Sequence, residues 1–104
     1  MVPVLEAELG ARHHEQRPGW VYFLQNRDGY IKIGFTTQLQ QRLRAFNSAA
    51  QHTGGRYDVL AIVAGTIEDE RRIHERFSYC RNGGHEVFSP HRHLRGFIKR
   101  MLKT

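Results

Sequence analysis

A chain of 104 residues has room for one domain built around one modest core. Its composition, 39% hydrophobic, 25% charged and 11% aromatic, is that of a folded soluble protein and excludes a disordered or fibrous one. The net charge of +6 is placed unevenly, with nine Lys or Arg against two Glu over residues 71–104, five of each sign over 20–70, and a slight acidic excess over 1–19.

A basic C-terminal third is what a phosphate backbone attracts by counterion release. It is also the composition of a solvated surface that keeps a small protein in solution, and charge alone leaves both readings open. Cys80 is the single cysteine, which excludes a disulfide within the chain and a thiolate-rich metal site. The opening Met1 to Gln16 has no basic segment leading into a long apolar run, and no stretch reaches transmembrane length. No membrane partner is expected, and the cytoplasm is the expected compartment.

Residues 1–18 show no sustained periodicity and run into the breaker Arg17-Pro18-Gly19, so they are expected to form a flexible arm ahead of a domain over 19–104. Trp20 to Leu24 is a short aromatic and β-branched run and Tyr30 to Phe35 a second; the Asp28-Gly29 pair between them suits a turn that needs positive φ. The two are expected to pair as antiparallel strands. Thr37-x-x-Gln40 has the form of a capping box, and Leu39, Leu43 and Phe46 repeat at helical spacing. A first helix is expected to end near Asn47, with a polar loop from Asn47 to Arg56.

Tyr57 to Ala64 reads as a third, buried strand by its length and β-branching. Thr66 opens a second helix reaching about Tyr79, with Ile73 and Phe77 on its apolar side and Glu68 and Asp69 in the first turn, where the helix dipole favours acids. After Gly83-Gly84, His85 to Phe88 is a short extended piece. Ser89-Pro90 then reads as a helix start, a cap followed by proline at the first helical position. The last helix is expected to bury Leu94, Phe97, Ile98, Met101 and Leu102 and to turn Arg95, Lys99, Arg100 and Lys103 outward. The order β-β-α-β-α-(β)-α is an α/β layer, a small antiparallel three-stranded sheet flanked by helices.

Four residues break the expected patterning. Glu70 and His74 share the stripe of the second helix that carries Ile73 and Phe77, and a carboxylate turned toward a sheet is costly unless a cation, a metal or a structural hydrogen bond pairs with it. Lys32 sits mid-strand in Tyr-Ile-Lys-Ile-Gly-Phe, either on a solvent face by simple alternation or, in a favourable register, on the same side as Tyr22. Arg42 lies at the margin of the first helix's apolar stripe, where it is either solvated or aimed at a phosphate. Among the other histidines, His13, His14, His85, His91 and His93 invite a zinc reading but read as surface residues, and no zinc site is expected.

The ordered set Gly19-Trp20-Val21-Tyr22, Lys32-Ile33-Gly34, Arg42 eight residues further on, and Glu70-x-x-x-His74-x-x-Phe77 resembles the GIY-YIG nuclease superfamily. The similarity is to its branch of small phage, bacterial and fungal proteins whose second motif reads KIG, and Gly84-His85-Glu86-Val87-Phe88 extends it to cover about residues 19–98. Lys32 stands where many members have a second tyrosine, Phe46 where many have a histidine, and Val87 where a tryptophan is common.

The resemblance implies a divalent-metal-dependent endonuclease hydrolysing phosphodiester bonds in DNA. In that reading Tyr22 activates or orients water, Lys32 assists or holds a phosphate oxygen, and Arg42 stabilises charge on the scissile phosphate. Glu70 holds one Mg²⁺ or Mn²⁺, and His74 either supplies an imidazole to the chemistry or packs. Arg44, Arg72, Arg76, Arg81, Arg95 and Lys99 are candidate contacts to the nucleic-acid backbone. Specificity would then come from the arm, the Asn47 to Arg56 loop, a homodimer or a targeting partner protein. The alternatives are a catalytically inactive nucleic-acid-binding module of the same fold and a protein-interaction domain.

Overall fold

A computed structural model of the protein describes residues 18–53, 57–82 and 86–102, with the backbone alone for 48–53. The expected arm, His13, His14, His85 and Lys103 fall outside the described residues, apart from the arm's last residue, Pro18. The two aromatic and β-branched runs form β1 (Gly19–Gln25) and β2 (Ile31–Thr36), paired antiparallel with Tyr22 opposite Gly34 and Leu24 opposite Lys32. Gly29 takes φ 94°, as the Asp-Gly turn requires. Asn26 closes that turn, its Oδ1 accepting from the Tyr30 N–H at 2.9 Å.

Helix α1 spans Leu39–Thr53 and does not stop at Asn47. Its polar second half lacks an apolar stripe but also lacks a breaker until Gly54-Gly55, so helix propensity carries it on. Its start also differs from the expected box. Thr36 Oγ1 accepts from the Gln38 N–H at 2.9 Å, and the Arg42 N–H bonds the Gln38 carbonyl.

Strand β3 (Asp58–Gly65) pairs antiparallel with β1 on the side away from β2, with an irregularity between Phe23 and Leu24. Thr66 caps α2 (Ile67–Arg76) in a full capping box, its side chain receiving the Asp69 N–H while Asp69 Oδ2 receives the Thr66 N–H at 2.9 Å. Asp69 is buried for that reason. Beyond α2 a single 3₁₀ turn (Ser78–Cys80) replaces the last turn expected of the helix.

The short extended piece is β4 (Val87–Phe88), which pairs antiparallel with β2 and makes the sheet four-stranded, in the order β3-β1-β2-β4, not three-stranded. Its two residues show too little alternation to be assigned a partner from sequence alone. Helix α3 covers Arg92–Leu102. It begins after Ser89-Pro90, because the His91 N–H turns back onto the Ser89 carbonyl at 2.7 Å and the first helical bond is from Arg95 to His91. Leu94, Phe97, Ile98 and Met101 are buried as expected, while Leu102 at the helix end is exposed.

One face of the sheet, with Val21, Phe23, Ile31, Ile33, Ala61 and Val63, packs against Ile73 and Phe77 of α2 and the buried stripe of α3. Burying side chains of this size stabilises by about 1.5–3 kcal/mol each before the cost of ordering them. The opposite face presents Tyr22, Leu24, Lys32 and Gly34, and Phe46 of α1 rests on it. Among the described residues, no helix is long and apolar enough to cross a membrane.

Candidate active site

Tyr22 comes from β1, and its ring lies across β2 at Gly34. A Cβ at position 34 would fall on the phenol's Oη and Cζ, so only glycine leaves the ring its place. Phe46 meets the ring edge-on with centroids 5.7 Å apart, and Tyr22 is 2% exposed. Burial pushes the phenol up to about 12; the Glu86 carboxylate adds to this, Arg42 opposes it and Glu70 adds again. Charges from α1, α2 and the approach to β4 therefore all reach one buried hydroxyl.

Lys32, one strand position before Ile33, lies on the Tyr22 face. Its Nζ is 3.1 Å from Glu86 Oε1 and 5.5 Å from the Phe46 ring centroid. Glu86 is fixed by the main chain, since the Ile33 N–H donates to the Glu86 carbonyl at 2.9 Å. It is the residue that sequence reasoning missed. Its signal was present, because Glu75 and Glu86 are the only acids after residue 70.

The α2 stripe delivers Glu70 and His74 to the same edge of β2. Glu70 is 9% exposed, and its carboxyl is raised above the usual range, first by burial and then by Glu86, with Arg71 opposing. His74 Nε2 is 2.8 Å from the Ile33 carbonyl, which only accepts, so Nε2 carries the proton. The ring packs edge-on against Phe88. Burial lowers the imidazole's pKa and outweighs the Ile33 bond, which favours the charged form, so His74 is neutral near pH 7. Its 4.0 Å approach to Glu70 Oε2 is therefore not an ion pair. His74 fastens α2 to β2 through Nε2.

Arg42 is exposed on α1 and borders an open cleft of about 580 Å³ whose walls include Phe35, Thr36, Gln38 and Gln41. Tyr22, Lys32 and Glu70 are not among those walls. The candidate backbone contacts are not gathered on one face. Arg44 bonds Gln40 Oε1 on α1, Arg72 faces Glu68 at 3.7 Å, and Arg81 lies over the Phe88 ring. Arg95 and Lys99 are exposed on α3, and Arg76 stacks on Phe77 and Phe97 between α2 and α3.

The donor chemistry suits a hard divalent cation. Two carboxylates, Glu70 and Glu86, lie close enough to raise Glu70's affinity for a proton, beside an uncharged imidazole. A cation such as Mg²⁺ or Mn²⁺ would relieve that repulsion. Among the described residues there is no cluster of three or more such ligands, so substrate oxygens and water would complete the shell.

A family model described as the T5orf172 domain matches residues 19–102. The chain belongs to the T5orf172 domain family. The match runs from the first residue of β1 to the last of α3, so every strand and helix described above lies inside the T5orf172 domain. No curated protein and no solved structure matches the chain.

Proposed function

We propose that this T5orf172 domain is a divalent-metal-dependent endonuclease of the GIY-YIG type that hydrolyses phosphodiester bonds in DNA. One observation carries the reading. Arg42 from α1, Glu70 from α2 and Glu86 on the β4 approach act electrostatically on the buried Tyr22 hydroxyl, and Glu86 is itself within 3.1 Å of Lys32 on the Tyr22 face. A domain that only binds nucleic acid has no use for a carboxylate held there at the cost of its desolvation.

Glu70 would hold the metal ion, with Glu86 alongside. When bound, the ion supplies Lewis-acid stabilisation of charge on the phosphate and acidifies bound water. The protein's own groups have separate tasks. Tyr22 keeps its proton at neutral pH and orients the attacking water through Oη, with Arg42 as the positive charge that favours phenolate character. Lys32 exchanges Glu86 for a phosphate oxygen when substrate arrives. Arg42, exposed at the cleft, stabilises the charge that builds on the scissile group. His74 holds the Glu70 helix against β2. The proposed setting is the cytoplasm, consistent with one buried, unpaired cysteine, Cys80.

Supercoiled plasmid incubated with the protein and Mg²⁺ or Mn²⁺ provides the test. The wild type is expected to nick and linearise it, and Tyr22→Phe, Arg42→Ala and Glu70→Gln to be strongly impaired. Salt-dependent DNA binding without cleavage under either metal would favour the inactive binding module instead.

A further inference from the structure

Gln38, Gln41, Arg42 and Ala45 fall at i, i+3, i+4 and i+7 along the start of α1 and so form one stripe, and all four line the open cleft of about 580 Å³ together with Thr36 and Thr37. That volume lies in the range of about 300–1,000 Å³ found for sites that hold a small organic group. The cleft meets the candidate active site at two points. Arg42, in its wall, acts electrostatically on the Tyr22 hydroxyl. Thr36, also in its wall, is the cross-strand partner of Trp20, which lies two residues before Tyr22 on the same face of β1.

The chemistry of the lining indicates what part of a nucleic acid it meets. Arg42 is its one cation, no acid is among its walls, and α1 carries no Asp or Glu along its whole length, so nothing on this helix repels a phosphate backbone. The other polar walls are neutral. Solvated glutamines are ordinary on a helix surface. These two differ in converging with an arginine on one concavity, and among the described residues neither side-chain amide has a hydrogen bond, whereas Gln40 on the neighbouring side receives one from Arg44 at 3.4 Å. An amide offers a donor and an acceptor side by side, the pair that adenine N7 and N6 complement in the major groove. Spacing sets how far the amides can reach. Gln41 and Gln38 precede Arg42 by one and four residues, about 1.5 and 6 Å along the helix axis, while successive bases are about 3.4 Å apart. Both amides therefore address bases within about two steps of a phosphate held by Arg42.

We propose that this cleft reads a base within two steps of the scissile phosphate, with Gln38 and Gln41 as specificity-determining residues that favour adenine. The inference rests on the nuclease reading in placing the scissile phosphate at Arg42. It puts sequence selection on the same helix that supplies the catalytic arginine.

Both side chains are exposed, and the bond that Gln38 makes to Thr36 Oγ1 comes from its main-chain N–H, so alanine at either position leaves the fold in place. A randomised DNA duplex library is selected twice, by binding to the protein in EDTA and by cleavage with Mg²⁺, and the recovered molecules are sequenced. The wild type is expected to enrich adenine at a position within two bases of the cut, and to cleave that duplex roughly tenfold faster than one with guanine in its place. The double variant Gln38→Ala, Gln41→Ala is expected to cleave both duplexes at one rate, and Gln40→Ala to discriminate as the wild type does. Trp20, the single tryptophan and 40% exposed, reports on the cleft's edge without metal. In EDTA its fluorescence is expected to respond to the adenine duplex at roughly tenfold lower concentration than to the guanine duplex.

A flat base profile in both selections would overturn the proposal, as would a preference that survives in the double variant or is lost equally in Gln40→Ala. A protein that never cleaves, yet enriches adenine in EDTA and loses that preference in the double variant, would contradict the nuclease reading and leave the base-reading cleft standing.

Discussion

Tyr22 is the side chain on which the site's charges converge, and its titration has a definite sign. The phenol ionises near the ordinary value of 10.0 when unfolded and near 12 when folded, so it has no effect on stability below pH 10. Between pH 10 and 12 the unfolded chain gains by ionising first, and the fold weakens. Urea midpoints at pH 9 and pH 11 are expected to fall less for Tyr22→Phe than for the wild type. Glu70 has the same sign at the other end of the scale. Its carboxyl is raised above 4.5 by burial, so its ionised form costs the fold stability as pH rises through and beyond that value. Glu70→Gln is therefore expected to melt higher than the wild type at pH 7 without divalent cations, and to lose that advantage below pH 4.5. A Glu70→Gln protein less stable at pH 7 would mean that the carboxylate is held by a structural partner. At this scale the sequence exposed the oddity of Glu70 and Lys32, since a charge on an apolar stripe or mid-strand is visible in the pattern. The role of His74 was hidden, because no pattern says which backbone carbonyl an imidazole will meet.

Among the elements, α2 bears most on the site, because it presents both Glu70 and His74 to β2. Its position depends on the Thr66 and Asp69 capping box immediately before Glu70. Thr66→Ala is expected to cost about 1 kcal/mol, within the usual 0.5–2 kcal/mol for a lost cap, as measured by urea denaturation. A loss of only a few tenths would mean that tertiary packing, not the cap, fixes the helix start. The elements legible in sequence were those with strong periodicity or a strong turn. The antiparallel pairing of β1 and β2 followed from the two β-branched runs and the Asp-Gly turn, though its register did not, and the α3 stripe followed from Leu94, Phe97, Ile98 and Met101. The far half of α1 was illegible because Asn47 to Thr53 carry no apolar periodicity to announce a helix. β4 was illegible because two residues carry no period, and its pairing partner lies more than fifty residues earlier in the chain.

Across the whole molecule, charges of opposite sign are segregated. The acids Glu70 and Glu86 gather near Tyr22 at the β2 edge, while arginines occupy α1, the outer sides of α2 and α3, and a pocket between those two helices. The sequence showed that the C-terminal third was basic. It did not show that the basic residues would divide among several faces, since that depends on how α2 and α3 cross. Such a division predicts that cleavage and DNA affinity respond to different substitutions. The central claim, that Glu70 serves a metal-dependent cleavage site and not the grip on DNA, is tested by measuring two quantities on one variant. For Glu70→Gln with saturating Mg²⁺, the single-turnover cleavage rate is expected to fall by about 100-fold or more, with the Kd for uncleaved DNA within about threefold of the wild type. Cleavage by Glu70→Gln at the wild-type rate would contradict the account.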